Sequence, residues 1–395
     1  MSAGFAAAFY RSDPRALVFL PTRFVSVSDW PKVDSRGARI HPTLLDEIDA
    51  QQQRFGMSRA RQAQLKRLRE GRARVVVTGQ QVGLFLGPLY TLYKALTAIE
   101  WARRLEQNLS EPVVPVFWLQ SEDHDFDEIA HTHAVDENDS LQRIEVPVAK
   151  SDARVSVAHR SFGVGINEAV DSLRVLLRGV PRGDFEAARF ARHYRPGSTP
   201  VQAFAGVLAE VFEDLIVFDP RCETVARLAA PIHRRAVYES AAIGEELDAH
   251  SRSIEKAGFS PQVRIRPEST LSFFHLDSMQ GPRFRLVPGP RGFELGGGAD
   301  VASNDTLDRA LAQAPLRFST SALLRPVVQD TLFPTAAYVA GPGEISYFAQ
   351  LKPLYDRFEL DMPMVVPRRH FSVIEPEPRR ALNGLDLGVT HLSAA

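Results

Sequence analysis

Cysteine is almost absent from this sequence: Cys222 stands alone among 395 residues. A disulfide framework within the chain and a thiolate-based structural zinc site are thereby excluded. The thiol lies in the loop-like stretch Asp219-Pro220-Arg221-Cys222 and reads as incidental rather than nucleophilic. An excess of either charge is also missing. Lys and Arg number 47 against 48 Asp and Glu, a formal net charge of -1. No concentrated positive surface marks a nucleic-acid binder, and RNA-binding signatures are lacking. No apolar run reaches the roughly 18 residues of a membrane span. The first fifteen residues carry no basic region and do not read as a signal peptide. The expected location is the cytoplasm, with neither membrane nor nucleic acid as partner. Internal repeats and low-complexity segments are lacking too.

A hydrophobic fraction of 44% supplies a sizeable core. The length points to one large domain with insertions, or to two domains. Residues 15–40 read as irregular, and residues 42–70 as helix ending at Gly71. Arg74–Thr78 (RVVVT) is a β-branched run between glycines, as a buried strand requires. From Thr91 the apolar period becomes helical, and Val113–Leu119 (VVPVFWL) returns to strand. Strand, helix, strand makes a βαβ unit with parallel strands. Ligands of open α/β sheets bind at the carboxyl ends of the strands. The turn at Gly79 and the acidic run after Leu119 should therefore face one crevice. Residues 131–190 read as an excursion from the sheet. Leu215–Asp219 reads as a third parallel strand, residues 222–257 as helix, and 261–295 as hairpins that include QVRIR. Gly296-Gly297-Gly298 reads as a turn. Helix is expected to open at Ala340–Glu344, and Met364–Val366 is a last strand.

Three constellations carry candidate chemistry. The first is Thr78-Gly79-Gln80-Gln81, then Gly87-Pro88 and Tyr90, with Lys94 one helical turn further on. A glycine-rich turn before a helix offers free amides at the positive helix end, Pro88 suits a helix start, and Tyr90 and Lys94 share a face. The second is Glu122-Asp123-His124-Asp125-Phe126-Asp127-Glu128, five carboxylates and a histidine in seven residues. Such density after a buried strand calls for a cation: a substrate amine, a metal ion or an arginine. A solvated acidic loop is the plain alternative. The third is Arg325, Gln329 and Asp330 followed by Gly341, Gly343 and Glu344. Arg325 suits a bidentate grip on a carboxylate, and the Gly343 amides an anion. A structural Arg–Asp pair with a helix cap accounts equally well for that segment.

Together these stretches resemble the family of bacillithiol-biosynthesis cysteine-adding enzymes, proposed to join cysteine to glucosaminyl-malate. The resemblance rests on TGQQVGLFLGPLYTLYKA (78–95), PVFWLQSEDHDFDEI (115–129), YRPGSTPVQAF (194–204), LIVFDP (215–220), GFSPQV (258–263), RPVVQDTLFPTAAYVAGPGEISYFAQL (325–351) and MPMVVPR (362–368). It implies an α/β fold: a Rossmann-like parallel sheet of the nucleotidylyl-transferase type over residues 1–370, with connecting-peptide-like insertions near 131–200 and 265–320. It implies a ligase that forms an amide from the cysteine carboxyl group and the glucosamine amine, with ATP for activation and no metal assigned. Gln80, Gln81, Tyr90 and Lys94 would hold a phosphate or the malyl carboxylates. Asp123, His124 and Asp125 would bind or deprotonate the amine. Arg325, Gln329 and Glu344 would complete the pocket. The family's C-terminal coiled coil is expected to be absent, because residues 371–395 form a short tail without heptads. No motif fixes the oligomeric state. Two other functions compete: a metal-dependent hydrolase or transferase using the acidic-His run, and a non-catalytic binding protein derived from the ligase fold.

Overall fold

The computed structural model describes residues 4–20, 39–136, 140–147, 154–266, 268–296, 300–371, 374 and 376–388. The strands among the described residues are β1 Arg74–Gln80, β2 Val113–Leu119, β3 His131–Val135, β4 Leu141–Glu145, β5 Ile216–Phe218, β6 Ser272–His275, β7 Arg283–Gly289, β8 Gly292–Leu295, β9 Val301–Ala302, β10 Phe318–Thr320, β11 Thr335–Ala340 and β12 Met364–Pro367. The central sheet has the order β12-β11-β1-β2-β5 and is parallel throughout. Its strands are apolar on both faces, as helices on both sides require. Val75 and Val77 face a core with Leu44, Ile48 and Val327. Val76 faces the opposite side with Ala98 and Trp101, and Phe117 packs there with Ala95 and Phe204. The helix Tyr90–Leu109 is the crossover from β1 to β2.

From β1 the chain builds outward through β2 to β5, then returns to place β11 and β12 on the other side of β1. The strand order therefore reverses between β1 and β11, and a crevice opens at the carboxyl ends of these two strands. Gly79 is needed at this edge. A Cβ there would lie 2.7 Å from the Trp118 carbonyl oxygen of β2.

A second, antiparallel sheet has the order β10-β6-β7-β8-β9. One face packs Phe274, Leu286, Phe293 and Leu307 into a separate small core. The other carries Phe273, which is paired across strands with Arg285, and His275, which is paired with Arg283. The hairpin β3-β4 and the helices Ile166–Leu176 and Gly183–His193 occupy the excursion after β2.

Several expectations need correction. The segment 42–70 is two helices, Pro42–Phe55 and Arg59–Arg69, broken at Gly56 with φ 125°. Ser58 caps the second by accepting the Arg61 amide at 3.0 Å. The segment 222–257 is likewise divided, into Glu223–Tyr238 and Ser240–Lys256. QVRIR forms no strand. Gln350 instead pins it, accepting the Val263 amide at 2.9 Å and donating to the Val263 carbonyl at 2.9 Å. The expected helix opening at Ala340–Glu344 is preceded by an unforeseen strand, β11. Gly297, Gly298 and most of the irregular stretch 15–40 lie outside the described residues.

Candidate active site

A cleft of about 890 Å³ lies over the carboxyl ends of β1, β2, β11 and β12, with the second sheet as its far wall. Of the residues singled out in the sequence, Gln80, Gln81, Tyr90, Lys94, Glu122, Asp123, His124, Arg325, Gly341, Gly343 and Glu344 line it. The three constellations, drawn from distant parts of the chain, thus meet at one place because parallel strands end together.

At the switch point, Lys94 is buried, at 3% exposure. Its ammonium donates to the Gly79 carbonyl at 2.8 Å and to Gln80 Oε1 at 3.0 Å. It also forms an ion pair with Glu344. Three hydrogens therefore have three acceptors, and none remains for an incoming anion. Burial pushes the Lys94 pKa down, and the Glu344 charge opposes that shift. Glu344 in turn accepts the Gly341 amide at 2.7 Å and the Tyr338 hydroxyl at 2.7 Å. The start of the helix Pro342–Phe348, expected to attract an anion, is thus already occupied by its own carboxylate.

Arg325 is held by neutral partners. It donates to Gln329 Oε1 at 2.8 Å, Tyr347 Oη at 2.8 Å and Tyr338 Oη at 3.3 Å. Gln329 and Asp330 do not line the cleft but lie beneath it. Gln329 donates to Asp330 Oδ1 at 2.8 Å, and the Tyr355 hydroxyl donates to the other oxygen. Burial raises the Asp330 pKa to about 6. No Arg325–Asp330 pair forms among the described contacts.

The acidic run diverges after β2. Glu122 turns to the second sheet, accepting the Thr320 amide at 3.0 Å and its hydroxyl at 2.5 Å. Asp125 is the N-cap of the short helix Phe126–Ile129 and accepts the Glu128 amide at 3.2 Å. Asp123 stays in the cleft, accepting Gln81 Nε2 at 2.9 Å and the His124 amide at 2.7 Å. Its carboxylate lies 3.4 Å from His124 Nδ1 and 3.7 Å from the Arg283 guanidinium. Burial works to raise the Asp123 pKa, but the bonds from His124 and Gln81 and the Arg283 charge bring it below the ordinary carboxylate value. Because the side chains point apart, no group of three or more His, Cys, Asp or Glu among the described residues could hold a metal ion.

Three other positions fall outside the cleft. Thr78 is buried in the sheet, its hydroxyl donating to the Val339 carbonyl at 2.9 Å. Gly87 packs against Thr132, and Pro88 is likewise not part of the lining. Cys222 has its thiol pKa pushed up to about 12 by burial, so it is no nucleophile. His193 bonds Glu210 at 2.7 Å. Tyr194, beside it, packs edge-on to Phe85 and supports the turn before the crossover helix.

The sequence reading missed the basic wall. Arg266, Arg283, Arg285 and Arg368 all line the cleft. Arg283 donates to the Glu122 carbonyl at 2.6 Å and the Thr320 carbonyl at 2.9 Å, and lies 4.0 Å over the Phe273 ring. Burial, and then the nearby Arg266 charge, depress the Arg285 pKa, with Glu268 offsetting part of the shift. Arg368 stacks 4.9 Å over Tyr90. A period-two signal for Arg283 and Arg285 was present in RFRL, since alternate residues of a strand share a face.

The comparisons with known proteins agree with this architecture. Residues 7–369 match the family described as bacillithiol biosynthesis BshC, N-terminal Rossmann-like domain. Proteins named "Putative cysteine ligase BshC" are similar over most of the chain. That of Salinibacter ruber is 33% identical, covering 97% of this chain and 73% of the relative. That of Heliobacterium modesticaldum is 33% identical, covering 92% and 66%. That of Koribacter versatilis is 36% identical, covering 85% and 61%. The chain therefore spans 61% to 73% of the length of these three relatives. With the parallel sheet, the cleft at its switch point and a family match over nearly its whole length, this chain belongs to the BshC family.

Proposed function

We propose that this chain is a ligase that forms an amide between the carboxyl group of L-cysteine and the amine of glucosaminyl-malate, with ATP consumed. The observation that carries the reading is the Asp123–His124 pair, set in a cleft that also holds a basic wall. An amine attacks only as the free base, so a base must stand beside it. Asp123, kept ionised by Gln81, His124 and Arg283, stands 3.4 Å from His124 Nδ1 and would stabilise the imidazole once protonated. His124 takes the proton as the nitrogen bonds to the activated carboxyl carbon, and the bond from that carbon to the activating phosphate or adenylate oxygen breaks, releasing phosphate or AMP. Asp125, which caps its helix, has no part in that transfer.

Lys94 acts by position. Through Gly79, Gln80 and Glu344 it ties the ends of β1 and β11 together across the switch point. The residues present also suit a nucleotide phosphate. Arg368 has a buried Nε without a hydrogen-bond partner among the described residues. Arg368, Tyr90 and Gln80 would hold the phosphate oxygens, and ATP would supply activation of the cysteine carboxyl group.

The test is a pair of variants in a reconstituted assay. His124→Gln and Asp123→Asn should each lower kcat about 10²–10⁴-fold, the usual contribution of general-base catalysis. Turnover that survives both substitutions unchanged would refute the assignment.

A further inference from the structure

The geometry points to a dicarboxylate subsite on the far wall of the cleft, where Arg283 and Arg285 of the second sheet flank the Phe273 ring and Arg266, from the irregular segment before that sheet, lines the same wall. It rests on the ligase reading and assigns the malyl end of the substrate to this wall rather than to Lys94.

Four observations support the assignment. First, Lys94 has no hydrogen left to donate, and Arg325 is bonded to Gln329, Tyr338 and Tyr347. Lys94 is therefore not free to take a carboxylate at the sheet's switch point, and Arg325 has most of its N–H donors already committed to fixed neutral partners.

Second, two guanidiniums of the wall lie together with no carboxylate in salt-bridge contact among the described residues, and Glu268 offsets only part of their charge at longer range. Arg285 and Arg266 form no ion pair among the described residues, and the two guanidiniums are close enough for Arg266 to depress the Arg285 pKa. Like charges held together in a cleft are relieved by a bound anion.

Third, Arg283 is buried and keeps an Nε hydrogen without a partner. Its other donors go to two neutral carbonyls, of Glu122 and Thr320. Its charge is shared with Glu122 and with Asp123 at 3.7 Å, and the unpartnered Nε hydrogen is what it still offers the wall.

Fourth, the spacing suits a zwitterionic substrate. Phe273 contacts Arg283 at 4.0 Å and Arg285 at 5.5 Å, and its ring centroid is 6.5 Å from that of His124. An amine at the Asp123–His124 pair and a carboxylate at Arg285 would thus be separated by one aromatic ring, with Arg283 between them. Glucosaminyl-malate carries its amine on the sugar carbon next to the one that bears the malyl group, so amine and carboxylates lie a few bonds apart, and the sugar face can lie on Phe273. Arg266 and Arg285 are exposed and half-buried, so they can meet the ligand without unfolding anything.

Isothermal titration of the purified chain tests this without requiring turnover. The probes are L-malate, the monocarboxylate L-lactate, and inorganic phosphate in a separate arm. L-malate should bind more tightly than L-lactate. The double variant R266Q/R285Q should weaken L-malate about tenfold to hundredfold, the scale of lost charged hydrogen bonds. R285K should retain part of the affinity, and thermal midpoints should stay near that of the parent. Malate affinity unchanged in the double variant would overturn the subsite. So would loss of phosphate binding with malate binding intact. If malate binding falls as expected while the parent chain makes no amide product, the subsite stands and the ligase reading fails.

Discussion

Lys94 and Glu344 form a buried ion pair across the strand-order reversal, one from the helix after β1 and the other from the helix after β11. The pair joins the two halves of the sheet where the cleft opens. A buried charge that loses its partner costs about 3–5 kcal/mol, whereas loss of both charges costs much less. Lys94→Met and Glu344→Gln should each destabilise the fold on that scale in urea unfolding. The double variant should recover a large part of the loss. Additive losses would show that the two side chains are not coupled.

Asp123 and Asp125 stand two residues apart and should behave differently. Asp125→Ala removes a helix cap and should cost about 1 kcal/mol of stability with kcat nearly unchanged. Asp123→Asn should spare stability relative to its large effect on kcat, because the Asn oxygen still accepts the His124 amide and its NH2 can donate to the Gln81 side-chain oxygen once that amide flips. Measured kcat and unfolding midpoints for the two variants decide the point. Equal losses of kcat would place Asp125 in the chemistry after all.

Acid should destabilise this protein through buried histidines. Burial lowers the pKa of His159 and His233 to about 4 and, with Arg221 adding to it, that of His275 to about 3. Their unfolded value is near 6.5, so the unfolded chain takes up protons first as pH falls. The stability contribution is complete above pH 6.5 and is lost on descent toward pH 4 and 3. Each histidine should contribute about 1–2 kcal/mol of this loss between pH 6.5 and 5. Asp330 acts oppositely. Its pKa is raised to about 6, so its ionisation weakens the fold as pH rises from 3.8 toward 6. Three imidazoles outweigh one carboxyl, and the midpoint should fall with acid. His233→Asn, which keeps a partner for the Ser272 hydroxyl at the Nδ1 position, should flatten that slope. An unchanged slope would contradict the buried neutral state of His233.

Gly83 is required by close backbone approach. A Cβ there would sit 2.1 Å from the Gly87 carbonyl oxygen. Gly83→Ala should therefore force the turn apart, at a cost of about 1–3 kcal/mol. Because this turn leads from Gln81 into the helix bearing Tyr90 and Lys94, KM should rise as well. Wild-type stability and KM would mean that the turn yields without strain.

Much of this architecture is legible in the sequence. β1 and β2 show as apolar runs because both of their faces are buried, and the helical period between them gives the crossover. The acidic run after Leu119 places Asp123 and His124 at a strand end. β11 escaped notice because TAAYVA is rich in alanine, which carries little strand signal. Its position beside β1 depends on contacts more than 250 residues away in sequence, on the order of a full domain. Gly56 divides a segment whose composition is helical throughout, because φ 125° is open to glycine alone. The Arg283–Arg285 wall was visible only as alternation in RFRL. Nothing local says that this face of a second sheet turns toward the carboxyl ends of the first. Asp125 looked equivalent to Asp123 because sequence cannot show which carboxylate caps a helix and which faces the cleft.

The most direct measurement is mass-spectrometric detection of product from the purified chain supplied with glucosaminyl-malate, L-cysteine and ATP. A product with the mass of the cysteinyl amide, absent without cysteine and strongly reduced in His124→Gln, is the expected result. A folded chain that binds L-malate and yet forms no amide would contradict the ligase assignment.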